Sequence, residues 1–221
     1  MDLARALASL PANPRVVVTG NHATPWHTVK LVDDALDEYR LWALNGQPQL
    51  PDREGVVLES SFVGPGQRRS PRLSYVPSRL SMVPSLFGKQ LPPDLVVLHT
   101  TRPRDGKVSL GVEVNVLPAA IEAVRRNGGV VIAQTNANMP WTFGDALVDL
   151  DLIDVLVDAN EPMPHAPVSS IDDASATIGQ LVAARVSDGS TIQAGIGAVP
   201  DATMHGLSGR SGLRVWTEMF S

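Results

Sequence analysis

The chain has 221 residues, of which 43% are hydrophobic and 19% charged, so it has enough apolar material for a core and too little charge for a disordered chain. Its 18 Lys and Arg residues against 23 Asp and Glu residues give a net charge of −5, which excludes an electrostatic nucleic-acid surface. The chain has no cysteine, which excludes disulfides, thiolate metal sites and a cysteine nucleophile.

Short β-branched runs recur along the chain and predict strands. They cover residues 15–18, 56–58, 95–98, 130–133, 153–157, 191–193 and 213–216. Continuous apolar runs of this length are typical of strands buried on both faces of a parallel sheet. We therefore expect a mostly parallel sheet.

Helical spacing between these runs predicts three helices. The first follows Pro25, runs through Ala43 and stops at Gly46. The second follows Asn115 and ends at the glycine pair 128–129, and the third covers residues 171–186. Strands that alternate with helices indicate an α/β protein.

Two stretches interrupt this alternation. Residues 45–93 are rich in Pro, Arg and Ser and predict irregular loops around one or two strands. A second interruption, near residues 166–170, predicts a boundary between a domain at 1–168 and an incomplete helix-strand-turn-helix-strand segment at 169–221 that begins the active-site unit.

The first residues lack the basic start and apolar stretch of a signal peptide. No run approaches the roughly 20 apolar residues that cross a bilayer. The sequence therefore predicts a cytoplasmic protein with no membrane partner.

Residues 190–201 form the most informative segment. A predicted strand runs into Gly195 and Gly197, and Pro200 follows where a helix begins. Such a turn directs several backbone N–H groups toward one point, which suits an anion or a developing oxyanion. Glu218 follows the next predicted strand, and the carboxyl ends of parallel strands share an edge, so we expect it near this turn.

Two chemistries fit this pairing. The turn could hold the pyrophosphate of a dinucleotide while Glu218 holds a ribose hydroxyl, as in an oxidoreductase. Alternatively, Glu218 is a nucleophile and the turn stabilises the oxyanion of the carbonyl that it attacks. Pro200 stands where the dinucleotide pattern has a small residue, which weighs against the first chemistry.

Five stretches together carry a resemblance to a known family. They are FVGP at 62–65, SLGV at 109–112, NANMPWTFGD at 136–145, GIGAVPDA at 195–202 and WTEMFS at 216–221. In this order they resemble the N-terminal half of the acetyl-CoA hydrolase/transferase family, which contains 4-hydroxybutyrate CoA-transferases and succinyl-CoA:acetate CoA-transferases.

The resemblance implies a CoA-transferase-like three-layer α/β/α fold and the start of a second, similar unit. It implies that Glu218 forms covalent intermediates while CoA moves between an acyl-CoA and a small carboxylic acid. If water attacks one of these intermediates, the acyl-CoA is hydrolysed instead. Backbone groups of Gly195, Gly197, Ala198 and Val199 would form the oxyanion hole. Coenzyme A would be a substrate, and no other cofactor is implied.

The resemblance also concerns partners. Family members are about twice as long, so we expect a missing C-terminal half or a second subunit, and a homo-oligomer. A non-catalytic fragment that only binds acyl-CoA stays an alternative. The family usually has an arginine where this chain has Trp141. The resemblance therefore does not define the pocket for the small acid in this chain.

Further candidates for substrate binding follow from position. Asn136, Asn138 and Thr142 come after the predicted strand 130–133, where a parallel sheet offers amides and hydroxyls to a ligand. Gly64 and Gly66 lie in a turn of the irregular stretch, where a ligand could be reached. The five histidines are scattered, so no metal site is predicted.

Overall fold

The computed structural model describes residues 1–164 and 171–218. The chain divides into two compact units, Met1–Pro164 (unit 1) and His165–Ser221 (unit 2). The predicted boundary at 168/169 falls between the described ranges.

Unit 1 contains nine strands and four α-helices among its described residues. In chain order they are α1 (Leu3–Ala8), β1 (Arg15–Val18), α2 (Trp26–Ala35), β2 (Tyr39–Trp42), β3 (Val56–Ser60), β4 (Leu73–Tyr75), α3 (Val83–Lys89), β5 (Leu95–Thr100), β6 (Lys107–Ser109), α4 (Leu117–Arg126), β7 (Val130–Thr135), β8 (Leu147–Asp149) and β9 (Val155–Asp158). Short 3-10 turns lie at Asn21–Ala23, Leu80–Met82, Gly144–Ala146 and Leu150–Leu152.

Seven of these strands form one sheet in the order β4-β3-β2-β1-β5-β7-β9. All of its pairings are parallel. The chain runs outward from β1 through β2 and β3 to β4, then returns to the other side of β1 with β5. The direction of winding therefore reverses between β1 and β5, and the carboxyl ends of all seven strands meet at one edge. The strands β6 and β8 pair separately and antiparallel.

Both faces of the sheet are covered, because neighbouring residues of one strand enter different cores. In β5, Leu95 and Val97 join the core that contains α1 and α2, while Val96 and Leu98 join the core that contains α3 and α4. All four side chains are fully buried, each contributing on the order of 2 kcal/mol of transfer free energy. Unit 1 is thus a three-layer α/β/α fold, as expected.

The first predicted helix is wrong in its second half. Helix α2 ends at Ala35, and the residues Tyr39–Trp42 form strand β2. Tyr39 and Leu41 enter one core while Trp42 enters the other, so the burial follows the two-residue period of a strand. The stretch 45–93 contains two strands, and it also contains helix α3, which the sequence did not predict.

An ion-pair cluster of three charged side chains links strands β1, β2 and β3. Glu59 is buried in β3, and its carboxylate accepts hydrogen bonds from Arg15 Nε at 2.7 Å and Arg40 Nη1 at 3.0 Å. Arg15 lies in β1 and Arg40 in β2, so a single buried carboxylate connects three neighbouring strands.

Unit 2 contains α5 (Asp173–Ala183), β10 (Thr191–Ile192), α6 (Ala198–Gly206) and β11 (Arg214–Val215) in its described residues. The strands β10 and β11 pair in parallel. Helices α5 and α6 touch at Gly179, where an added Cβ would lie 2.6 Å from the backbone of Ala202. Gly179 therefore sets how closely the two helices approach.

Candidate functional site

The carboxyl ends of β10 and β11 bring the predicted catalytic segments of unit 2 together. The nitrogen of Trp216 donates to the carbonyl of Ile192 at 2.9 Å, which continues the ladder beyond β11. One residue later, Thr217 Oγ1 donates to the carbonyl of Ala194 at 2.6 Å. Glu218 is therefore the neighbour of a residue that is bound directly to the start of the glycine turn.

The turn itself is open above its glycines. An added Cβ at Gly195 or Gly197 would meet no atom within 4 Å. Gly197 has φ of 114°, which other residues rarely adopt, and it directly precedes α6. Gly197 has no side chain to cap the helix, and Ala198 and Val199 lie in the first turn of α6, where backbone N–H groups have no partner within the helix.

Glu218 is exposed. That the carboxylate and the turn act on one substrate stays a prediction.

The polar candidates that follow β7 are occupied by bonds within unit 1. Asn136 is fully buried, and its amide donates to His99 Nε2 at 3.1 Å and to the carbonyl of Glu161 at 2.8 Å. Asn138 is exposed, and its amide also donates to the carbonyl of Glu161 at 3.0 Å. Thr142 Oγ1 donates to the carbonyl of Gly111 at 2.7 Å. These hydrogen bonds hold the loops of unit 1 in place. Contact of the three side chains with a substrate stays a prediction.

Gly64 and Gly66 allow two backbone segments to approach closely. An added Cβ at Gly64 would lie 2.3 Å from the carbonyl carbon of Asn45, and one at Gly66 would lie 1.9 Å from the carbonyl oxygen of Gln47. The buried Gln67 links the same two segments, because its Oε1 accepts hydrogen bonds from Gly46 N at 3.2 Å and from Gly64 N at 3.1 Å. The two glycines thus fix the loop that follows β2, and substrate binding by them stays a prediction.

A cavity of about 210 Å³ lies at the carboxyl edge of the large sheet. Its lining comes from the loops after β1, β2 and β9, from the start of α2 and from the end of β5. The described lining residues are Asn21, His22, Thr24, Trp26, Gln47, Pro48, Gln49, His99, Glu161, Pro162 and Pro164. Open parallel sheets bind ligands at the carboxyl edge where the winding reverses, and this cavity lies there, between β1 and β5.

Sequence reasoning did not find this site, although His22 and His99, two of the five scattered histidines, line it. Its lining residues lie up to about 140 positions apart in the chain, and most are amides and prolines, which form no recognisable motif. The one available signal was the polar run that follows the predicted strand 15–18.

The first turn of α2 borders the cavity, and its N–H groups are already bound by side chains of the protein. The nitrogen of His27 donates to Glu161 Oε1 at 3.0 Å, and the nitrogen of Thr28 donates to Gln134 Oε1 at 3.0 Å. Gln134 Nε2 in turn donates to Glu161 Oε2 at 2.9 Å. In a dinucleotide-binding sheet the pyrophosphate binds at such a helix start. In unit 1 the chain's own carboxylate and amide occupy that place.

His99 is buried and uses both ring nitrogens. Its Nδ1 lies 3.0 Å from the carbonyl of Ala23, which can only accept, so Nδ1 carries the proton. Its Nε2 therefore accepts from the amide of Asn136. Burial lowers the pKa of His99, which keeps the ring uncharged at neutral pH.

Glu113 is a second buried titratable group near the cavity. It is 8% exposed, and its carboxylate accepts from the amides of Asn115 and, at 3.5 Å, of Asn21. Burial raises the pKa of Glu113 to about 7, although both amide bonds oppose this. Asn21 also accepts from Asn45 Nδ2 at 2.8 Å, so Glu113 supports the loop that forms one wall of the cavity.

The described residues offer neither a clustered metal site nor a membrane-spanning helix. Residues 1–164 and 171–218 contain no group of three or more His, Cys, Asp or Glu side chains placed to hold a metal ion. Within the same ranges, no helix has the length and apolar character needed to cross a membrane.

Comparison with known proteins places these observations in a family. Residues 58–167 match the model of the acetyl-CoA hydrolase/transferase N-terminal domain. The chain is 34% identical, over 93% of its length and 45% of the relative's, to a succinyl-CoA:acetate/propanoyl-CoA:succinate CoA transferase of Fasciola hepatica. It is 36% identical, over 72% of its length and 38% of the relative's, to a 4-hydroxybutyrate coenzyme A transferase of Clostridium kluyveri.

Among solved structures, RipA from Yersinia pestis matches 98% of this chain and 55% of its own with a TM-score of 0.88. Its sequence identity is 22%, so this likeness concerns the fold. The chain spans about half the length of the relatives that it matches, or less. Through its motifs, its α/β fold and the matched domain, the chain belongs to the acetyl-CoA hydrolase/transferase family.

Proposed function

We propose that this chain is part of an enzyme that transfers CoA from an acyl-CoA to a small carboxylic acid, with Glu218 as the nucleophile. The hydrogen bond from Thr217 to Ala194 is the observation that carries the proposal, because it joins the segment of Glu218 to the glycine turn. Family membership and the names of the CoA transferases that the chain resembles support the reaction class.

The reaction begins with attack by the ionised Glu218 on the thioester carbonyl. A C–O bond forms, and the C–S bond then breaks to release CoA thiolate and leave a mixed anhydride of the acyl group with Glu218. The thiolate attacks the glutamyl carbonyl, which releases the first carboxylic acid as its anion and leaves a glutamyl-CoA thioester. The same two steps, run in reverse with the second acid, regenerate the carboxylate of Glu218.

Each attack places negative charge on a carbonyl oxygen. The N–H groups of Ala198 and Val199 in the first turn of α6 are the groups we assign to that oxygen, and the positive end of α6 adds to the stabilisation. A carboxylate nucleophile has no proton to give up, so the mechanism needs no separate base to activate it. Where water attacks either covalent intermediate, the net result is hydrolysis.

Glu218→Gln tests the nucleophile. We expect CoA exchange by the full-length protein to fall at least about a thousandfold, since the carboxamide cannot form the anhydride. Exchange is measured with labelled acetate, succinate and 4-hydroxybutyrate as acceptors. Glu38→Gln, at an exposed position just before β2 in unit 1, removes the same charge and should leave exchange unchanged.

Chemical trapping gives an independent readout. Borohydride reduces a glutamyl thioester to an alcohol, so incubation with acyl-CoA followed by borohydride should modify the peptide that contains Glu218. Peptide mass mapping locates the modification. Undiminished exchange in Glu218→Gln, or reduction at a different carboxylate, would show that the assignment is wrong.

We further propose that the complete enzyme includes a second half or subunit and assembles as a homo-oligomer. The lengths of the relatives support the first point. The exposed apolar side chains of unit 2 support both, and they include Leu181, Ile196, Val215 and Trp216.

A further inference from the structure

A separate surface of unit 1 lies where the loops after β5 and β7 meet. The two strands are parallel neighbours, so both loops leave the same edge of the sheet. The guanidinium carbon of Arg104, in the first loop, lies 5.9 Å from the ring centroid of Trp141, in the second. This distance is within the range of cation–π attraction. The two loops thus place a positive charge beside an aromatic ring.

The backbone of Arg104 is fixed by a tight turn. Its N–H donates to the carbonyl of Lys107 at 2.8 Å, and its carbonyl accepts from the N–H of Lys107 at 3.0 Å. Between them, Asp105 and Gly106 have φ of 52° and 74°. Positive φ at both central residues is the signature of a type I′ hairpin turn. The guanidinium therefore projects from a defined backbone position.

The loop that carries Trp141 is anchored through the next residue. The nitrogen of Thr142 donates to Ser109 Oγ at 3.0 Å, and Thr142 Oγ1 donates to the carbonyl of Gly111 at 2.7 Å. Ser109 is fully buried at the end of β6. The position of the indole is thus set by the core of unit 1.

Exposed apolar side chains lie around the same anchor. Phe143, which follows Thr142, is 78% exposed, and Val112, which follows Gly111, is 54% exposed. Both are close to Trp141, because Thr142 separates Trp141 from Phe143 and is bonded to Gly111. Apolar side chains that are grouped on a surface mark binding sites more often than isolated ones do.

Arg104 is the cation of this surface that is available to a ligand. The neighbouring cations are already paired, as Arg102–Asp158 and Lys107–Asp149. The nearest acid to Arg104 is Asp105, which is 89% exposed and lies 3.5 Å from its Nε. Within residues 1–164 and 171–218, Nη1 and Nη2 of Arg104 have no hydrogen-bond partner. A planar guanidinium with both terminal nitrogens available suits a carboxylate.

The other charges of this surface disfavour an anion with several negative charges. Asp145 is exposed two residues after Phe143, and Glu113 directly follows Val112. Together with the acids named above, they outnumber the cations Arg102, Arg104 and Lys107. A nucleotide would meet repulsion here, whereas a single carboxylate needs only one guanidinium.

We propose that Arg104, Trp141 and Phe143 form a binding site for a carboxylate that carries an apolar ring, such as an aromatic acid. The carboxylate accepts hydrogen bonds from the terminal nitrogens of Arg104, and the ring packs against the exposed apolar side chains. The site belongs to unit 1 alone, so it does not depend on the role of Glu218.

Four probes separate charge from ring: benzoate, benzamide, acetate and 3′,5′-ADP. The readout is the indole N–H signal of Trp141 in the 15N-labelled protein, assigned with Trp141→Phe. We expect benzoate to shift this signal with about millimolar affinity and to bind about fivefold tighter than the other three probes. Benzamide lacks the charge, acetate lacks the ring and 3′,5′-ADP has too many charges. The indole signal of Trp42, in the core, serves as the internal control.

Two variants should move the affinity for benzoate in opposite directions. Arg104→Gln removes the cation and should lower it about fivefold, while Asp105→Asn removes the competing carboxylate and should raise it about twofold. Asparagine before glycine is favoured in a type I′ turn, so Asp105→Asn retains the hairpin. Neither variant should change the affinity for benzamide.

Arg5→Gln, at an exposed position in α1, is the matched control and should leave the affinity for benzoate unchanged. Equal binding of benzoate and benzamide, tighter binding of 3′,5′-ADP than of benzoate, or no shift of Trp141 with any probe would overturn the proposal. An equal loss of benzoate affinity in Arg5→Gln and Arg104→Gln would do the same.

Discussion

At the scale of single residues, Glu113 couples the protonation of a buried carboxyl to the wall of the cavity. Its pKa of about 7 in the folded protein lies above the ordinary value of 4.5. The folded state therefore binds the proton more tightly than the unfolded state. The stability that this proton provides is fully present below about pH 4.5 and is lost as the pH rises toward 7.

Glu113→Gln should remove this dependence. The uncharged amide keeps the size of the side chain without the cost of burying an anion, so the variant should gain stability relative to the parent as the pH rises from 5 to 8. The gain should approach about 3 kcal/mol. Urea unfolding followed by the fluorescence of the buried Trp42 measures it.

The free energy of unfolding is compared between the two proteins at each pH. The contributions of other titrating groups, including His99, are the same in both proteins and cancel in the difference. The low pKa of His99 has the opposite sign: the unfolded state takes up its proton first, and stability falls as the pH drops below about 6.5. An equal effect of Glu113→Gln at pH 5 and pH 8 would contradict the prediction.

At the scale of elements, Gly179 allows α5 to contact the backbone of α6. Replacement of glycine by alanine inside a helix ordinarily stabilises it by up to about 1 kcal/mol. At Gly179 the new methyl would lie 2.6 Å from Ala202, so we expect Gly179→Ala to destabilise unit 2 by about 1–3 kcal/mol instead. Amide hydrogen exchange within α5 and α6 reports the change.

Gly88→Ala is the matched control within α3. The nearest atom to its new methyl would be a guanidinium nitrogen of Arg126 at 4.0 Å, so this variant should follow the ordinary trend and stabilise α3. Slower exchange in α5 and α6 after Gly179→Ala would show that the helix contact is not tight.

The elements also show what the sequence could predict. The runs at 15–18, 95–98 and 130–133 are strands of the sheet, because a strand buried on both faces must be apolar throughout. The segment 39–42 was assigned to a helix because Val29, Val32 and Leu36 set a helical period that Tyr39 and Ala43 continue by coincidence. Pairing between β1 and β3 decides its conformation, and that pairing cannot be seen in local spacing.

Of the two candidate sites, one could be predicted from the sequence and the other could not. The glycine turn and Glu218 lie within 24 positions of each other and follow two adjacent parallel strands, so the sequence alone predicts that they meet, and their joint action stays a prediction. The cavity of unit 1 combines Asn21, Gln47, His99 and Glu161 from four separate segments. Only the order of strands in the sheet brings these segments together, and the sequence did not reveal β2.

At the scale of the whole molecule, the two units differ in how far they can be stable alone. Unit 1 has a seven-stranded sheet with a core on each face, whereas the described part of unit 2 has two short strands and two helices. A two-stranded sheet has little stability without further strands or packed helices.

Residues 1–164 expressed alone should therefore fold and unfold cooperatively in urea. Residues 165–221 expressed alone should show little protection from hydrogen exchange. Circular dichroism and hydrogen exchange on the two fragments make the comparison. Strong protection in the shorter fragment would contradict this account of unit 2.

The all-parallel sheet has a further consequence for how the chain reaches its fold. Its central pair, β1 and β5, joins residues that are 79 positions apart at Arg15 and Asp94. The entropy of closing such a loop must be overcome before that pairing contributes, which makes parallel sheets slow to form. During synthesis, β1 is made early but keeps one edge bare until β5 emerges from the ribosome, so the centre of the sheet is a late event and its exposed edge a point where a chaperone could act.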